Sequence, residues 1–370
     1  MASDEEITII GGSLAGLTLA LACAASGFRV RVLEQSEGHA SGGDSLTVDL
    51  ALLPATTGYD PRVSPALPVV PAYRDLTTWP ALYGWLRDRV NETPGIVLEG
   101  GRRVSSVSDL HDSVQITFAD GHQQTAPVVI GADGYRSVVR RAISPETPFA
   151  RYAGYLVWRG LVEEQALQKP VSWPSDGGLW IEFVDGYRLV AATLPGRDGS
   201  VQPGQRQITF AWFDAHQDEL LRRTDCLTAE GHIVGTLARG MIDDSVRSAL
   251  ESRAHNIWPE RWREVVLAGI RSPNTLSGSP IAEYLPQRLA RGNMAIIGDA
   301  AHVITPMTGR GLLTGMEDAS TVAHLLARRS PGETLATVLA RYEQARLPFI
   351  KGLVKHSMNI SNEYVDLARA

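Results

Sequence analysis

Asp299 is the residue whose setting points most directly to chemistry. It follows a short apolar run, Met294-Ala-Ile-Ile-Gly298, and precedes a Gly-rich stretch that contains Gly309 and Gly311. A carboxylate in such a turn can accept hydrogen bonds from a chain of sugar-like hydroxyls. A helix that begins at the Gly-rich stretch has unpaired N–H groups, which favour negative charge beside them. The combination suits a ligand that has both a hydroxylated chain and a negatively charged group.

A second Gly-rich turn lies near the start of the chain. The β-branched run 7–10 predicts a buried strand, and Gly11-Gly-Ser13-Leu-Ala-Gly16 then opens an apolar helical pattern. The run 28–33 predicts the next strand, and Glu34 stands at its carboxyl end. Glycines let a backbone approach a pyrophosphate, and the acid can accept from ribose hydroxyls. The segment therefore predicts a dinucleotide-binding β-α-β unit, with Ser13 at the third position of the fingerprint.

Composition limits the classes of function. The chain has 370 residues, enough for two domains, and its net charge of −6 argues against a nucleic-acid partner. The basic pair Arg140-Arg141 is short, which favours a solvated surface. Cys23 and Cys226 are the two cysteines and have no disulfide or zinc-site spacing, so we expect no metal. With no predicted signal peptide or membrane span, we expect a cytoplasmic protein without a membrane partner.

The middle of the chain differs in character from the ends. Aromatic-rich strands follow Pro148 and predict an antiparallel sheet, and helices are expected over about 215–270. The inner face of that sheet is the expected wall of a substrate pocket. Its aromatic candidates are Trp158, Trp180, Phe183, Tyr187 and Trp212. Aromatic side chains on strands more often belong to a core, so we expect one or two of the five to contact substrate.

Three signatures now stand in order: Gly-x-Ser-x-x-Gly with Glu34, Gly-Ala-Asp-Gly at 131–134, and Gly-Asp-Ala-Ala-His at 298–302 with its Gly309-x-Gly311 sequel. Together they resemble the class A FAD-dependent aromatic hydroxylases, whose type member is p-hydroxybenzoate hydroxylase. The segments 77–83 and 152–160 resemble the branch that contains 2,6-dihydroxypyridine 3-hydroxylase. The resemblance covers almost the whole chain.

The resemblance implies an α/β fold with two domains. A Rossmann-like FAD-binding domain with a mainly parallel sheet would take residues 1–150 and 285–370. A smaller α+β substrate domain with an antiparallel sheet would take residues 151–284. In this arrangement Glu34 would bind the AMP ribose and Asp299 the ribityl chain. Asp133 belongs to a motif that the family uses for both FAD and NAD(P)H.

The implied cofactor residues extend beyond these three acids. They are Gly11, Ser13, Leu14, Ala15, Gly16, Glu34, Gln35, Val104, Asp133, Asp299, Pro306, Gly309, Arg310, Gly311 and Leu312. Two positions depart from the family pattern. Trp79 stands where many relatives have an arginine that touches the flavin, and Arg310 stands where many have glutamine. Arg310 either adds positive charge near the flavin or points into solvent.

The implied reaction uses NAD(P)H to reduce FAD. O₂ then forms a flavin C4a-hydroperoxide, which hydroxylates an electron-rich aromatic or heteroaromatic ring. No catalytic base can be named, although His302, Tyr187, His216 and Tyr284 are candidates. We expect His302 to pack under the flavin ring. A homodimer is one option for the assembly.

Three other functions remain open. The first is oxidation of a larger natural product or antibiotic by the same class of enzyme. The second is a flavin-dependent halogenase, although its Trp-x-Trp-x-Ile-Pro segment does not occur in this chain. The third is a flavin-binding protein without catalysis.

Overall fold

Two large sheets organise the molecule, one six-stranded and one five-stranded. The structure is a computed structural model, and it describes residues 5–37, 45–63, 65–168, 179–272 and 274–370. The sequence from 38 to 75 is rich in Gly, Ser and Pro and predicts a long irregular connection. Its residues 38–44 and 64 lie outside the described residues. Within these ranges, no helix is both long and apolar enough to cross a bilayer.

The six-stranded sheet is mainly parallel, as the sequence predicts. Its strands are β1 (Glu6–Ile10), β2 (Arg29–Leu33), β5 (Ile96–Glu99), β9 (Val129–Gly131), β15 (Ala290–Arg291) and β16 (Met294–Ile296). They lie in the order β15-β16-β9-β1-β2-β5, and only the β15–β16 pair is antiparallel. Because β1, β9 and β16 are parallel neighbours, the turns that follow them meet at one edge of the sheet.

Smaller sheets and several helices complete this part of the molecule. The additional strands are β3 (Ser45–Thr47), β4 (Leu76–Thr78), β6 (Val104–Asp109), β7 (Val114–Phe118) and β8 (Gln123–Ala126). The helices are α1 (Leu14–Ala25), α2 (Leu52–Thr57), α3 (Trp79–Glu92), α4 (Val138–Ile143) and α8 (Gly311–Ala327). Helix α3 begins directly after Thr78, whose hydroxyl accepts a hydrogen bond of 3.1 Å from the Ala81 N–H.

The five-stranded sheet is antiparallel. Its strands are β10 (Arg151–Glu163), β11 (Leu179–Val184), β12 (Tyr187–Leu194), β13 (Gln207–Asp214) and β14 (Ser277–Glu283), in the order β11-β12-β13-β10-β14. Three helices follow β13, namely α5 (Asp218–Arg223), α6 (Asp244–Ile257) and α7 (Glu260–Arg271). Residues of all three bury apolar side chains against one face of the sheet, which we call the helix face. The predicted fold class is confirmed.

The last helix, α9 (Leu335–Arg369), connects both parts of the molecule. Val338 and Leu339 near its start belong to the core of the parallel sheet, whereas Tyr364 near its end packs on the antiparallel sheet. The segment 285–370 therefore contributes to two layers. The domain boundaries at 150 and 285 stay a prediction.

Candidate cofactor and substrate site

The three signature turns lie side by side at the carboxyl edge of the parallel sheet. Gly11 is in contact with the backbone of the 131–134 turn, because a Cβ at Gly11 would lie 2.8 Å from the Asp133 nitrogen. Gly298 faces the first turn, since a Cβ there would lie 3.0 Å from the Ala15 Cβ. Segments more than a hundred residues apart in sequence thus build one backbone-lined recess.

Two glycines of the first turn are required by geometry. Gly11 has a φ of 103°, which disfavours any side chain, and its Cβ would lie 2.4 Å from the Ala132 oxygen. A Cβ at Gly16 would lie 1.9 Å from the Gly11 oxygen. These contacts pack the start of α1 tightly against β1, so its first N–H groups face the recess. That is the cradle a pyrophosphate needs.

Glu34 joins the end of β2 to the same turn. Its Oε2 accepts a hydrogen bond of 2.7 Å from the Gly12 N–H, and its Oε1 accepts from the Ser36 N–H at 2.9 Å. The backbone oxygen of Glu34 accepts from the Arg102 N–H, which brings the start of β6 at Val104 alongside. The acid is half-buried at the end of the recess, the position expected for a ribose acceptor.

Asp133 supports the site through a helix. Its carboxylate accepts from the Ser137 hydroxyl at 2.5 Å and from the Val138 N–H at 2.7 Å, so it caps the start of α4. Burial raises the pKa of Asp133, and these hydrogen bonds oppose the rise. Both carboxylate oxygens therefore have structural partners, while the backbone of Asp133 lies at the recess.

Arg140 corrects the sequence analysis, which placed it on a solvated surface. The side chain is fully buried, and its guanidinium donates to the carbonyls of Asp299 at 3.4 Å and Ala300 at 3.3 Å. It also lies 4.4 Å from the ring centroid of Tyr284. Arg140 thereby holds the backbone of the Asp299 turn in place, and the Tyr284 ring packs against its guanidinium. Arg141 is exposed, and the sequence of the pair does not show which of the two arginines α4 buries.

The Asp299 side chain is reached by solvent from the recess. Protein nonetheless surrounds it closely enough that burial raises its carboxyl pKa, while His302 and Arg140 oppose that rise. A carboxylate on the wall of a deep cleft has this environment, and it suits an acceptor for ligand hydroxyls.

His302 is fully buried, so it has no direct access to a substrate. Its Nε2 lies 2.8 Å from Asp318 Oδ2, and the same oxygen accepts from the Gly298 N–H at 3.2 Å. Arg346 donates to the other oxygen of Asp318 at 2.8 Å. His302 and Asp318 thus hold the Asp299 turn against α8. Sequence reasoning missed Asp318 and Arg346, since neither belongs to the turn motifs.

Two helix starts face the recess without side-chain caps. Among the helices in the described part of the chain, only α1 and α8 have neither a capping side chain nor an acid at the start. The other helix starts are served by Asp49, Thr78, Ser137, Asp218, Asp244, Glu260 and Thr334. Open N–H groups and the helix dipole favour an anion at α1 and at α8.

The 305–310 loop leads into α8. Gly309 has a φ of 60°, and its neighbour Arg310 forms an ion pair of 3.2 Å with Glu317 on α8. The Arg310 guanidinium also lies 6.0 Å from the Phe349 ring centroid. Arg310 is half-buried, and Glu317 holds its guanidinium against α8.

The remaining expected cofactor residues surround the recess. Ser13 and Gln35 are exposed, Leu14 and Gly16 are buried, and Ala15 is half-buried. Pro306 and Gly309 are exposed at the loop, while Gly311 and Leu312 are half-buried at the start of α8. Val104 is buried beside the end of β2. That these residues contact FAD stays a prediction.

Four of the five aromatic candidates for the pocket wall lie on the helix face. Trp158 and Trp212 are fully buried there, and Trp212 packs edge-on against Trp258 at 5.5 Å between ring centroids. Trp180 packs on Trp262 at 5.7 Å, and Tyr187 packs on Trp212. These four residues therefore join the sheet to its helices, and the expectation that one or two of the five aromatic candidates contact substrate stays a prediction.

The opposite face of the sheet, which we call the cleft face, looks toward the 305–310 loop. Met307 of the loop packs with the cluster of Tyr155 and Val157, and Leu76 of β4 packs on the cluster of Ala192 at the other end. Between these ends the central strands place Val190, Ala211 and Arg159 in one cross-strand row.

All three residues of that row are only half-buried, although their strands are central in the sheet. An open space therefore lies above them. The Arg159 Nη1 donates to the Ser279 Oγ at 3.1 Å on the neighbouring strand. Arg159 is a functional candidate that sequence reasoning missed, although a charged residue inside the apolar run Tyr155-Leu-Val-Trp-Arg-Gly-Leu-Val was a visible signal.

A Rossmann-like parallel sheet with three converging turns, facing an antiparallel sheet across a cleft, defines the architecture of flavoprotein hydroxylases. The chain belongs to the FAD binding domain family, whose model matches residues 80–357. The resemblance to class A aromatic hydroxylases is confirmed, and the protein is an FAD-dependent monooxygenase of the aromatic hydroxylase type.

Individual relatives span most of the chain. The FAD-dependent urate hydroxylase of Klebsiella oxytoca is 30% identical, over 84% of this chain and 67% of that protein. The 3-amino-4-hydroxybenzoate 2-monooxygenase of Streptomyces cremeus is 28% identical, over 98% of this chain and 88% of the relative. The solved structure of 2,6-dihydroxypyridine-3-hydroxylase from Arthrobacter nicotinovorans has a TM-score of 0.80 at 22% identity, over 98% and 93% of the two chains.

Proposed function

We propose that the protein hydroxylates an electron-rich aromatic or heteroaromatic ring held between the 305–310 loop and the cleft face. The observation that carries this proposal is the half-buried row of Val190, Ala211 and Arg159 opposite Met307. Two apolar side chains can cover a ring there. Arg159 can meet a negatively charged or hydroxyl oxygen on it.

The cofactor site fits FAD in its donor set. The open starts of α1 and α8 would bind the pyrophosphate and the edge of the flavin ring, while Glu34 and Asp299 would accept from ribose and ribityl hydroxyls. Reduced FAD supplies the activation of O₂. A helix dipole beside the ring stabilises negative charge there by up to ~2 kcal/mol in a partly buried geometry.

NAD(P)H is the proposed reductant, binding transiently and then leaving. We also propose that the protein acts in the cytoplasm, where its buried thiols Cys23 and Cys226 stay reduced, and that it forms a homodimer. Comparing oxidation of NADH with that of NADPH tests the first point, and light scattering of the FAD-loaded protein tests the dimer.

The test of the main proposal is product analysis. FAD-loaded protein is mixed with NADH or NADPH and with a panel of phenols, hydroxypyridines and hydroxybenzoates. The molecular masses of the products are then measured by mass spectrometry. A gain of one oxygen atom by the ring is expected. Reductant consumption that no compound stimulates, with no oxygenated product, contradicts the proposal.

The role of Arg159 is tested separately. Arg159→Gln removes the charge, and loss of a hydrogen bond to a charged group predicts a rise in KM of about 10- to 100-fold. Arg197→Gln is the matched control, because Arg197 lies outside the cleft face in an exposed ion pair of 2.8 Å with Glu163. Equal KM values for both variants would remove Arg159 from the site.

One observation favours a second candidate, a substrate larger than a single ring. The cleft-side residues of the edge strand β11 are apolar and open, with Leu179 46%, Ile181 45% and Phe183 67% exposed. They continue the row of Val190 outward to solvent. An extended apolar substrate would cover them, so a polyketide belongs in the same panel.

A further inference from the structure

A buried chain of hydroxyl groups ties the 305–310 loop to the antiparallel sheet and to α9. The Thr305 N–H donates to the Ser357 Oγ at 2.7 Å, and the Ser357 hydroxyl donates to Glu283 Oε1 at 2.5 Å. The Ser361 hydroxyl donates to the same carboxylate oxygen at 3.0 Å. Three separate parts of the chain therefore meet at one acid.

A second branch reaches the same acid through Tyr155. Its hydroxyl lies 2.5 Å from the Thr305 Oγ1 and 3.4 Å from the Ser361 Oγ. Because Ser361 donates to Glu283, its oxygen can accept from Tyr155, and Tyr155 can then accept from Thr305. The hydroxyls thus align in one direction, from the loop toward the carboxylate.

Glu283 differs from the other buried acids in the described residues. Glu164 pairs with Arg206 at 2.8 Å, and Asp318 pairs with Arg346 at 2.8 Å. Glu283 is 8% exposed, yet its hydrogen bonds within the described ranges come from hydroxyls, with no cation paired to it. Burying a carboxylate without a cation is costly, so a structural role alone would be served as well by a neutral group.

We propose that Glu283 is a positioning residue that holds the 305–310 loop at a fixed distance from the cleft face. The inference rests on the proposed function, in which this loop lies beside the flavin. As the terminal acceptor of both branches, Glu283 strengthens each hydrogen bond that leads back to Thr305. Glu283 holds the loop through Thr305, which is fully buried.

The experiment measures loop order and coupling in the FAD-loaded protein. Backbone hydrogen exchange is followed in peptides covering 303–312, together with the share of NAD(P)H that yields H₂O₂ instead of product. Ser357→Ala leaves the Thr305 N–H without its acceptor, so exchange in 303–312 should rise about tenfold. Glu283→Gln keeps the shape of the acid but removes its charge, so a smaller rise is expected, with more H₂O₂ in both variants.

The matched control is Glu164→Gln, a buried acid at the other end of β10. It should leave exchange in 303–312 and the H₂O₂ share as in the wild type. The proposal is overturned if Ser357→Ala and Glu283→Gln leave both readouts unchanged. It is also overturned if exchange rises equally in β1 and α1, because that pattern indicates a general loss of stability.

Failure of the proposed function gives a different result. In that case the wild type oxygenates no aromatic compound, yet exchange in 303–312 still responds to Ser357→Ala. If the wild type hydroxylates a ring normally but exchange in 303–312 does not respond to the substitutions, only the proposed role of Glu283 is contradicted.

Discussion

Glu34 Oε2 lies 2.7 Å from the backbone nitrogen of Gly12, across a separation of 22 residues. The contact links the end of β2 to the turn after β1, so the acid orders the backbone that faces the pyrophosphate position. The same carboxylate is the proposed acceptor for the AMP ribose. One side chain therefore serves both the shape of the turn and the binding of the ligand.

Glu34→Ala should weaken FAD binding by about 10- to 100-fold, the effect of losing a hydrogen bond to a charged group. Titration of the apoprotein with FAD, followed by quenching of flavin fluorescence, gives the dissociation constant. Glu37→Ala is the control, because Glu37 is an exposed acid three residues further on. An unchanged FAD affinity in Glu34→Ala would mean that the ribose binds elsewhere.

Gly16→Ala should destabilise the fold by several kcal/mol, since the added Cβ would lie 1.9 Å from the Gly11 oxygen. Gly84→Ala is the matched control within a helix, because a Cβ at Gly84 would meet no atom within 4 Å apart from its chain neighbours and the backbone of its own helix. Removal of a helical glycine should stabilise the protein by about 0.5–1 kcal/mol. Chemical denaturation of both variants measures the difference, and equal stability would contradict the close approach at Gly16.

Ala211 and Trp212 are neighbours on β13 that point to opposite faces of the sheet, which separates binding from stability. Ala211→Leu should fill the cleft and lower kcat/KM at least about tenfold, with a melting temperature close to the wild type. Trp212→Leu should lower the free energy of unfolding by about 3 kcal/mol, with KM retained. Steady-state kinetics and thermal melting distinguish the two effects. If KM rises in Trp212→Leu but not in Ala211→Leu, the substrate binds on the helix face and the proposed pocket is wrong.

The aromatic face that the sequence suggested as a pocket wall and the cleft face of the proposed pocket are opposite sides of one sheet. This difference shows what could not be predicted from the sequence. The turns at Gly11 and Asp299 could be predicted because backbone approach and ligand hydroxyls restrict the residue types allowed there. The faces of β10 could not be assigned in the same way. Tyr155, Val157 and Trp158 are all buried, so apolar residues occur on both sides of the strand. The alternation of apolar and polar residues therefore cannot show which side faces the cleft.

Arg310 is predicted to act as an ordinary surface ion pair, although it departs from the family pattern. Its bond to Glu317 is part-exposed, with about a third of each side chain open to solvent, and such pairs contribute about 0–1 kcal/mol. A double-mutant cycle of Arg310→Gln and Glu317→Gln should give a coupling energy in that range, with FAD affinity unchanged. A large loss of FAD affinity in Arg310→Gln alone would place its charge at the flavin.

Glu283 and Glu164 should show opposite pH dependence of stability, because their pKa values shift in opposite directions. Burial raises the pKa of Glu283, and the hydroxyls of Ser357 and Ser361 only partly oppose it. The folded state then holds the proton more tightly than the unfolded state. The free energy of unfolding therefore falls as the pH rises from the unfolded pKa to the folded one, by about 1.4 kcal/mol for each unit between them. Glu283→Gln removes this loss, so its stability relative to the wild type should increase with pH.

Glu164 gives the reverse case. Burial alone would raise its pKa, but the Arg206 guanidinium and the Gly204 N–H lower it below the usual value. Its contribution is present above the unfolded pKa and is lost as the pH falls through the folded one. Glu164→Gln should therefore become less stable relative to the wild type as the pH rises.

Urea unfolding of the wild type and both variants between pH 4 and pH 8 tests the two predictions. For each variant, the slope is the change with pH of its free energy of unfolding relative to the wild type. Slopes of the same sign would contradict the assignment of Glu283 as an acid without a paired cation. A positive slope for Glu283→Gln, alongside a looser 305–310 loop, would show that the charge is kept at a cost to stability because it orders the loop.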